Sequence, residues 1–264
     1  MRKLAIALIA LASGAGAASA ADLPPAHYTK APVAVAPVAT WTGCYIGGGG
    51  GYGMWNQENQ AFFNPALVGA RGPISAETEM ATSGGRGYFG TVQGGCDYQF
   101  GLGSYQFVVG GFADGDWGSQ KGIVRDAPFF LINGDEKLSS SWAVGGRVGW
   151  LAFPTLLTYF SGGYTEATFG RVDFHPELVF PPTSTDFWGK HTYKGWFLGA
   201  GDEYALGFLP GLFWKTEYRL SEFNRADNFL HDTPTGLLTG DVTSSKKWDQ
   251  TIRSELVYRF NWMK

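Results

Sequence analysis

The groups in this 264-residue sequence that could carry chemistry are few: two cysteines, four histidines and short runs in which glycine alternates with charge. Gly85-Arg86-Gly87-Tyr88-Phe89-Gly90 fits G-x-G-x-x-G, the spacing that cradles a dinucleotide pyrophosphate at a helix amino terminus. No helical pattern follows it and no crossover unit surrounds it, so its glycines read as the start of a crowded strand. Asp114-Gly115-Asp116 opens like a calcium loop, but Arg125 stands where the twelfth-position glutamate is needed. Neither a metal nor a cofactor is expected. Acyl hydrolysis needs a serine with a partnering histidine and carboxylate at one depth. His191 is flanked by Thr192 and Tyr193 with no serine at the next same-face position, and His175 and His231 lie among other polar residues. All three read as solvated surface groups, and their spacing gives haem ligation no support. No catalytic residue is expected.

The elements that must position these groups are strands. Charged residues are 16% of the chain and aromatics 16%, with 39 glycines, whereas soluble domains carry about a quarter charged residues. A net charge of −3 argues against a nucleic-acid partner, which calls for a surplus of Lys and Arg. Beyond the amino terminus no run approaches the roughly 20 apolar residues of a spanning helix, so membrane insertion must come from strands. The amino terminus has the parts of an export signal: Arg2 and Lys3, the apolar Leu4 to Leu11, and the small-residue site Ala18-Ser19-Ala20. Residues 1–20 are thus a signal peptide, residues 21–40 a Pro/Ala-rich periplasmic linker, and residues 41–264 the folded domain.

Eight strands are expected, at 42–54, 87–100, 104–117, 139–151, 156–169, 193–206, 212–223 and 247–262. Connections after the second, fourth and sixth are tight, while Glu58 to Arg86, Gly118 to Leu138, Gly170 to Thr192 and Asn224 to Lys246 read as long polar loops. That alternation is the mark of an eight-stranded antiparallel transmembrane β-barrel with short periplasmic turns and four long extracellular loops. In the seventh strand Leu212, Trp214, Thr216, Tyr218 and Leu220 oppose Lys215, Glu217 and Arg219, and the fourth and eighth strands repeat this two-faced pattern. Parity alone leaves open whether the apolar face meets a core or lipid. Tryptophans at the strand ends (Trp41, Trp55, Trp117, Trp142, Trp150, Trp248 and Trp262) point to lipid, as an interfacial aromatic girdle.

Several segments resemble the alphaproteobacterial small outer-membrane β-barrel family, the outer-membrane immunogenic or porin family. They are Trp41-Thr42-Gly43-Cys44-Tyr45-Ile46-Gly47-Gly48 after Ala21-Asp22-Leu23-Pro24-Pro25, Val92 to Gln99, Gly195 to Ala205, Lys215 to Arg219, and Tyr258-Arg259-Phe260-Asn261-Trp262. The resemblance covers the strands and not the long loops. It implies an eight-stranded barrel of the outer-membrane-protein-A-like type, an abundant envelope component, with pore formation or haem binding attributed to some members. Three departures stand out: Phe112 where the family places an inward acid, Asp202 on an otherwise apolar parity, and Met263-Lys264 beyond the terminal aromatics. Near a periplasmic rim, Asp202 would cost only about 0 to 1 kcal/mol.

Cys44 and Cys96 fall on one parity toward the periplasmic ends of adjacent strands, and an even pair in an exported chain reads as a disulfide; the alternative is two lipid-facing thiols. The inward charges are Asp97, Arg147, Glu203, Lys215, Glu217, Arg219, Arg253, Glu255 and Arg259. Eight strands enclose a space only just wide enough for side chains, so these nearly balanced charges read as a paired plug, with a selectivity lining as the alternative. The expected protein is a non-enzymatic outer-membrane barrel with a structural, surface-exposed role. A narrow diffusion porin is the second reading, and a haem-binding or lipid-modifying barrel the third. Its expected partners are outer-membrane lipid, lipopolysaccharide and, through the C-terminal strand, the barrel assembly machinery, and not nucleic acid.

Overall fold

The structure, a computed structural model, describes residues 40–125, 132–176 and 183–260, so the signal peptide, nearly all of the linker and Trp262 lie outside the described residues. The strands are β1 (Gly43–Phe63), β2 (Ser75–Ala76), β3 (Ala81–Leu102), β4 (Tyr105–Arg125), β5 (Ile132–Phe153), β6 (Leu156–Phe169), β7 (Val172–Pro176), β8 (Asp186–Trp188), β9 (His191–Ala205), β10 (Leu212–Phe223), β11 (Ala226–Asp232) and β12 (Leu238–Phe260), with one 3-10 turn at Pro65–Val68. Among the described residues no helix is long and apolar enough to cross a membrane.

Eight strands, β1, β3, β4, β5, β6, β9, β10 and β12, pair antiparallel with their neighbours, and β12 returns to β1 to close a ring. Closure removes the unpaired edges that an open sheet would present. At one end the connections are short: residues 103–104, 154–155 and 206–211. Gly103 (φ 64°) and Gly211 (φ 86°) take the left-handed conformation there, which glycine adopts without a Cβ penalty. At the other end β2, β7, β8 and β11 extend the sheet beyond the ring.

Two expected strands, 156–169 and 212–223, coincide with β6 and β10, but the others differ in length. β1 continues past Met54 to Phe63, β4 past Trp117 to Arg125, and β12 starts at Leu238, all within stretches read as loops. Backbone ladders do not need an apolar face, so pairing persists where both faces turn polar and the period-two signal fades.

The ring is inverted relative to a soluble barrel. In β10, Phe213, Lys215, Glu217, Arg219, Ser221 and Phe223 are buried inside while Trp214 and Tyr218 are exposed outside. Outward aromatics form two rows: Tyr88, Trp117, Trp142 and Trp196 toward the long-loop end, and Tyr98, Trp150, Phe153 and Trp214 toward the short-turn end. Trp248 also faces outward, beside Lys246. Trp41 and Trp55 do not belong to the girdle: at 0% and 2% exposure they lie inside the ring. Both share parity with Tyr45 and the glycines of β1, and the missing side chains at Gly47, Gly49, Gly51 and Gly53 leave room for large rings at either end of that inward column.

Elsewhere the inner wall is bare because paired charges need the space. A Cβ on Gly110 would fall on Asp97 Oδ1 and lie 2.6 Å from the Cys96 carbonyl oxygen; one on Gly201 would collide with the Thr216 carbonyl and stand 2.7 Å from the Tyr159 hydroxyl. On the outer wall Cys44 and Cys96 are direct cross-strand partners of β1 and β3, Cα atoms 3.9 Å apart, and form a disulfide. Substituting Gly110→Val is therefore expected to destabilise the barrel by about 1 to 3 kcal/mol through overpacking, read as a lower urea midpoint after refolding into vesicles. In the same assay the double substitution Cys44→Ser/Cys96→Ser should lower stability by roughly 4 kcal/mol, by releasing the loop constraint on the unfolded chain.

Candidate functional site: the charged interior

Alternation carries every second residue of the ring into its lumen, and three charged tiers result. Nearest the short-turn end, Arg147 from β5 and Arg259 from β12 each contact both Asp97 of β3 and Glu203 of β9. Arg147 reaches Asp97 at 2.5 Å and Glu203 at 2.9 Å, and Arg259 reaches Asp97 at 2.7 Å and Glu203 at 2.6 Å. The four groups close a square of opposite charges. Its guanidinium planes lie against aromatic rings, Arg147 4.8 Å from Tyr45 and Arg259 4.9 Å from both Tyr45 and Phe213. Below it Trp41 packs on Phe213 at 4.8 Å and its carbonyl accepts from Arg259.

The middle tier centres on β10. Lys215 lies 3.4 Å from Glu217 and 3.7 Å from Glu255, and donates to Gln93 at 2.8 Å. Arg219 bridges Glu217 at 2.8 Å and Asp114 at 2.9 Å, while Arg253 reaches Asp114 at 3.3 Å and Asp116 at 3.1 Å. The Tyr159 hydroxyl donates to Glu217 at 2.9 Å, and Phe197 lies 4.2 Å under the Arg219 guanidinium. A cavity of about 10 Å³ lined by Asp114, Asp116, Arg219, Asp249, Thr251 and Arg253 has room for about one water.

The upper tier holds one cation, Lys247, which donates to both oxygens of Glu136 at 2.8 Å and to Gln57. Trp55, Phe169 and Tyr193 surround its ammonium at 5.2, 4.3 and 5.0 Å, an aromatic cage that favours a buried cation. The Tyr193 hydroxyl shares hydrogen bonds with Ser245 at 2.5 Å and Asn228 at 2.8 Å.

All nine interior charges read from the sequence lie in the lumen and join these tiers. Five further inward charges escaped that reading: Asp114, Asp116, Glu136, Lys247 and Asp249. Lys247 and Asp249 continue the parity of Arg253, and Asp114 and Asp116 follow Phe112 on the same inward face, so plain alternation would have found four of them. The third strand thus supplies its acid two residues beyond Phe112. Glu136 was hidden by a β-bulge between Leu138 and Ser140, which reverses the parity of β5 relative to Arg147. Among the described histidines, His175 faces Asn133 on β5 and His231 stacks on Phe187 at 5.2 Å, both apart from the tiers, while His191 lies against Tyr193 of the upper tier, ring centroids 4.7 Å apart. Among the described residues no cluster of three His, Cys, Asp or Glu side chains could hold a metal.

The chain is 30% identical over 266 residues to the 31 kDa outer-membrane immunogenic proteins of Brucella melitensis biotype 1 and Brucella suis biovar 1, a match spanning 98% of this chain and 100% of each relative. No family model matches. Among solved structures it is similar to Neisserial surface protein A (13% identity, 79% of this chain and 97% of that one, TM-score 0.35) and to outer membrane protein OprG from Pseudomonas aeruginosa (10%, 84% and 99%, TM-score 0.40).

Removing Arg147 leaves Asp97 and Glu203 to share one cation, Arg259, in a desolvated interior. Arg147→Met is expected to cost about 3 to 5 kcal/mol. In a double-mutant cycle, Arg147→Met with Glu203→Met should cost markedly less than the sum of the single changes, as measured by urea unfolding in vesicles.

Proposed function

The chain belongs to the family of outer-membrane immunogenic proteins and resides in the outer membrane, and from that premise we propose that it is a non-enzymatic envelope protein whose lumen is closed. In this reading the eight-strand ring spans the bilayer, with short turns in the periplasm and its four long connections outside the cell. One observation carries the closed lumen: fourteen inward charges, from Asp97 and Arg259 up to Lys247 and Glu136, are each less than a tenth exposed. Charges that serve a water-filled pore stand in water, whereas these are desolvated, and all but Asp249 are ion-paired with one another. The side chains that give the barrel a face to the outside are those on β2, β7, β8, β11 and the connections between them. The role is therefore structural and surface-presenting.

A narrow diffusion pore is the competing reading, and single-channel conductance of the refolded protein in a planar bilayer separates the two. Protein shown to be folded by its unheated gel mobility is expected to give no steady current steps. Reproducible openings would overturn the closed-lumen reading in favour of the porin.

A further inference from the structure

Between the two outward aromatic rows the wall of the ring is apolar or uncharged among the described residues, with one exception, Asp202. Its direct neighbours across the sheet are Thr158 on β6 and Thr216 on β10, so a threonine, a carboxylate and a threonine stand side by side on three adjacent strands. The next outward row toward the short turns is Leu156, Tyr204 and Trp214, in register on the same strands. Leu156, Tyr204, Trp214, Asp202 and Thr216 line a groove of about 280 Å³ on this outer face.

We propose that this groove binds the primary-ammonium headgroup of a phospholipid, phosphatidylethanolamine in chemical class, in the leaflet at the short-turn end. Depth is the first argument. Asp202 precedes the last residue of β9 by three positions, which on a strand tilted by about 40° places it roughly 8 Å above the strand end. The headgroup zone of a bilayer is about 5 to 7 Å thick on each side of the hydrocarbon. On that scale the carboxylate lies at the inner edge of the headgroup zone, one outward row above Tyr204 and Trp214, where the ammonium of a lipid seated in the groove reaches it and a charge near the interface costs little.

Chemistry is the second argument. Thr158 Oγ1 donates to Asp202 Oδ1 at 2.6 Å, which orients the carboxylate and leaves it most of its accepting capacity. The two hydroxyls and the carboxylate offer an ammonium three acceptors for its three N–H donors. A quaternary choline group has no N–H to give and would leave that row unused. Trp214 is fixed by its indole N–H donating to Ser254 Oγ at 2.8 Å, so its ring forms a stable wall of the groove. An aromatic face beside a cation adds attraction. The Tyr204 hydroxyl, exposed in the same row, can donate to the lipid phosphate.

This inference rests on the membrane orientation proposed above, but its test does not depend on the state of the lumen. The refolded protein is equilibrated in micelles containing equal amounts of phosphatidylethanolamine, phosphatidylcholine and phosphatidylglycerol with identical acyl chains, and lipids retained on the protein are identified by native mass spectrometry. Wild-type protein is expected to retain one phosphatidylethanolamine in about tenfold excess over the other two lipids. Asp202→Asn should abolish that excess, and Thr158→Val should reduce it, with unheated gel mobility showing both variants folded. Wild-type protein without headgroup preference, equal retention of phosphatidylcholine, or an Asp202→Asn variant that keeps the excess would each overturn the proposal. Since the groove lies outside the ring, any of those results leaves the closed-lumen reading to be judged by conductance alone.

Discussion

The arginine square at the short-turn end shows the constraint under which the rest of the structure is built. A guanidinium taken out of water has to be neutralised where it stands, and a ring of eight strands leaves no slack in which to do it. Arg147 and Arg259 therefore share Asp97 and Glu203, each cation touching both anions. The same rule repeats upward through Lys215, Arg219 and Arg253 to Lys247. Glycines follow from it, because a side chain at Gly110 or Gly201 would occupy space already held by a charge or a supporting tyrosine. Aromatic rings follow as well, since their faces lie against the buried cations and attract them.

The outer wall is governed by the opposite requirement. Facing lipid, it needs area and little polarity, and the outward positions between the two aromatic rows meet that need mostly with Val, Leu, Ile, Phe and Gly, with a few uncharged hydroxyls and amides such as Thr158, Thr216, Ser254 and Gln250 among them. A single ring of strands thus satisfies two solvents through the pleat alone. The departure at Asp202 is informative because it breaks the rule at the depth where breaking it costs least.

Much of this architecture is legible in the sequence, for a definite reason. Strict two-residue alternation, as in Lys215 to Arg219, encodes which way every side chain points, so strands, inward charges and the cysteine pairing could be read without coordinates. Two kinds of information were not. Tryptophan at a strand end carries no sign of direction by its type alone, and Trp41 and Trp55 fill the lumen because they share the inward parity of Tyr45. Local insertions are equally silent: the bulge at Ser139 reverses the faces of β5, so Glu136 could not be placed from Arg147 by counting. Beyond the apolar band the alternation itself disappears, which is why extended strands were taken for loops.

The disulfide joins the first strand of the ring to its neighbour, and its sulfurs lie on the face that meets lipid. Thiol oxidation proceeds through a thiolate, an ion that hydrocarbon does not tolerate. The pair therefore oxidises where water reaches it, before the ring is embedded or at the rim where β1 begins. The crosslink keeps the first two strands of the ring in one register, Cys44 opposite Cys96, for as long as it stays oxidised.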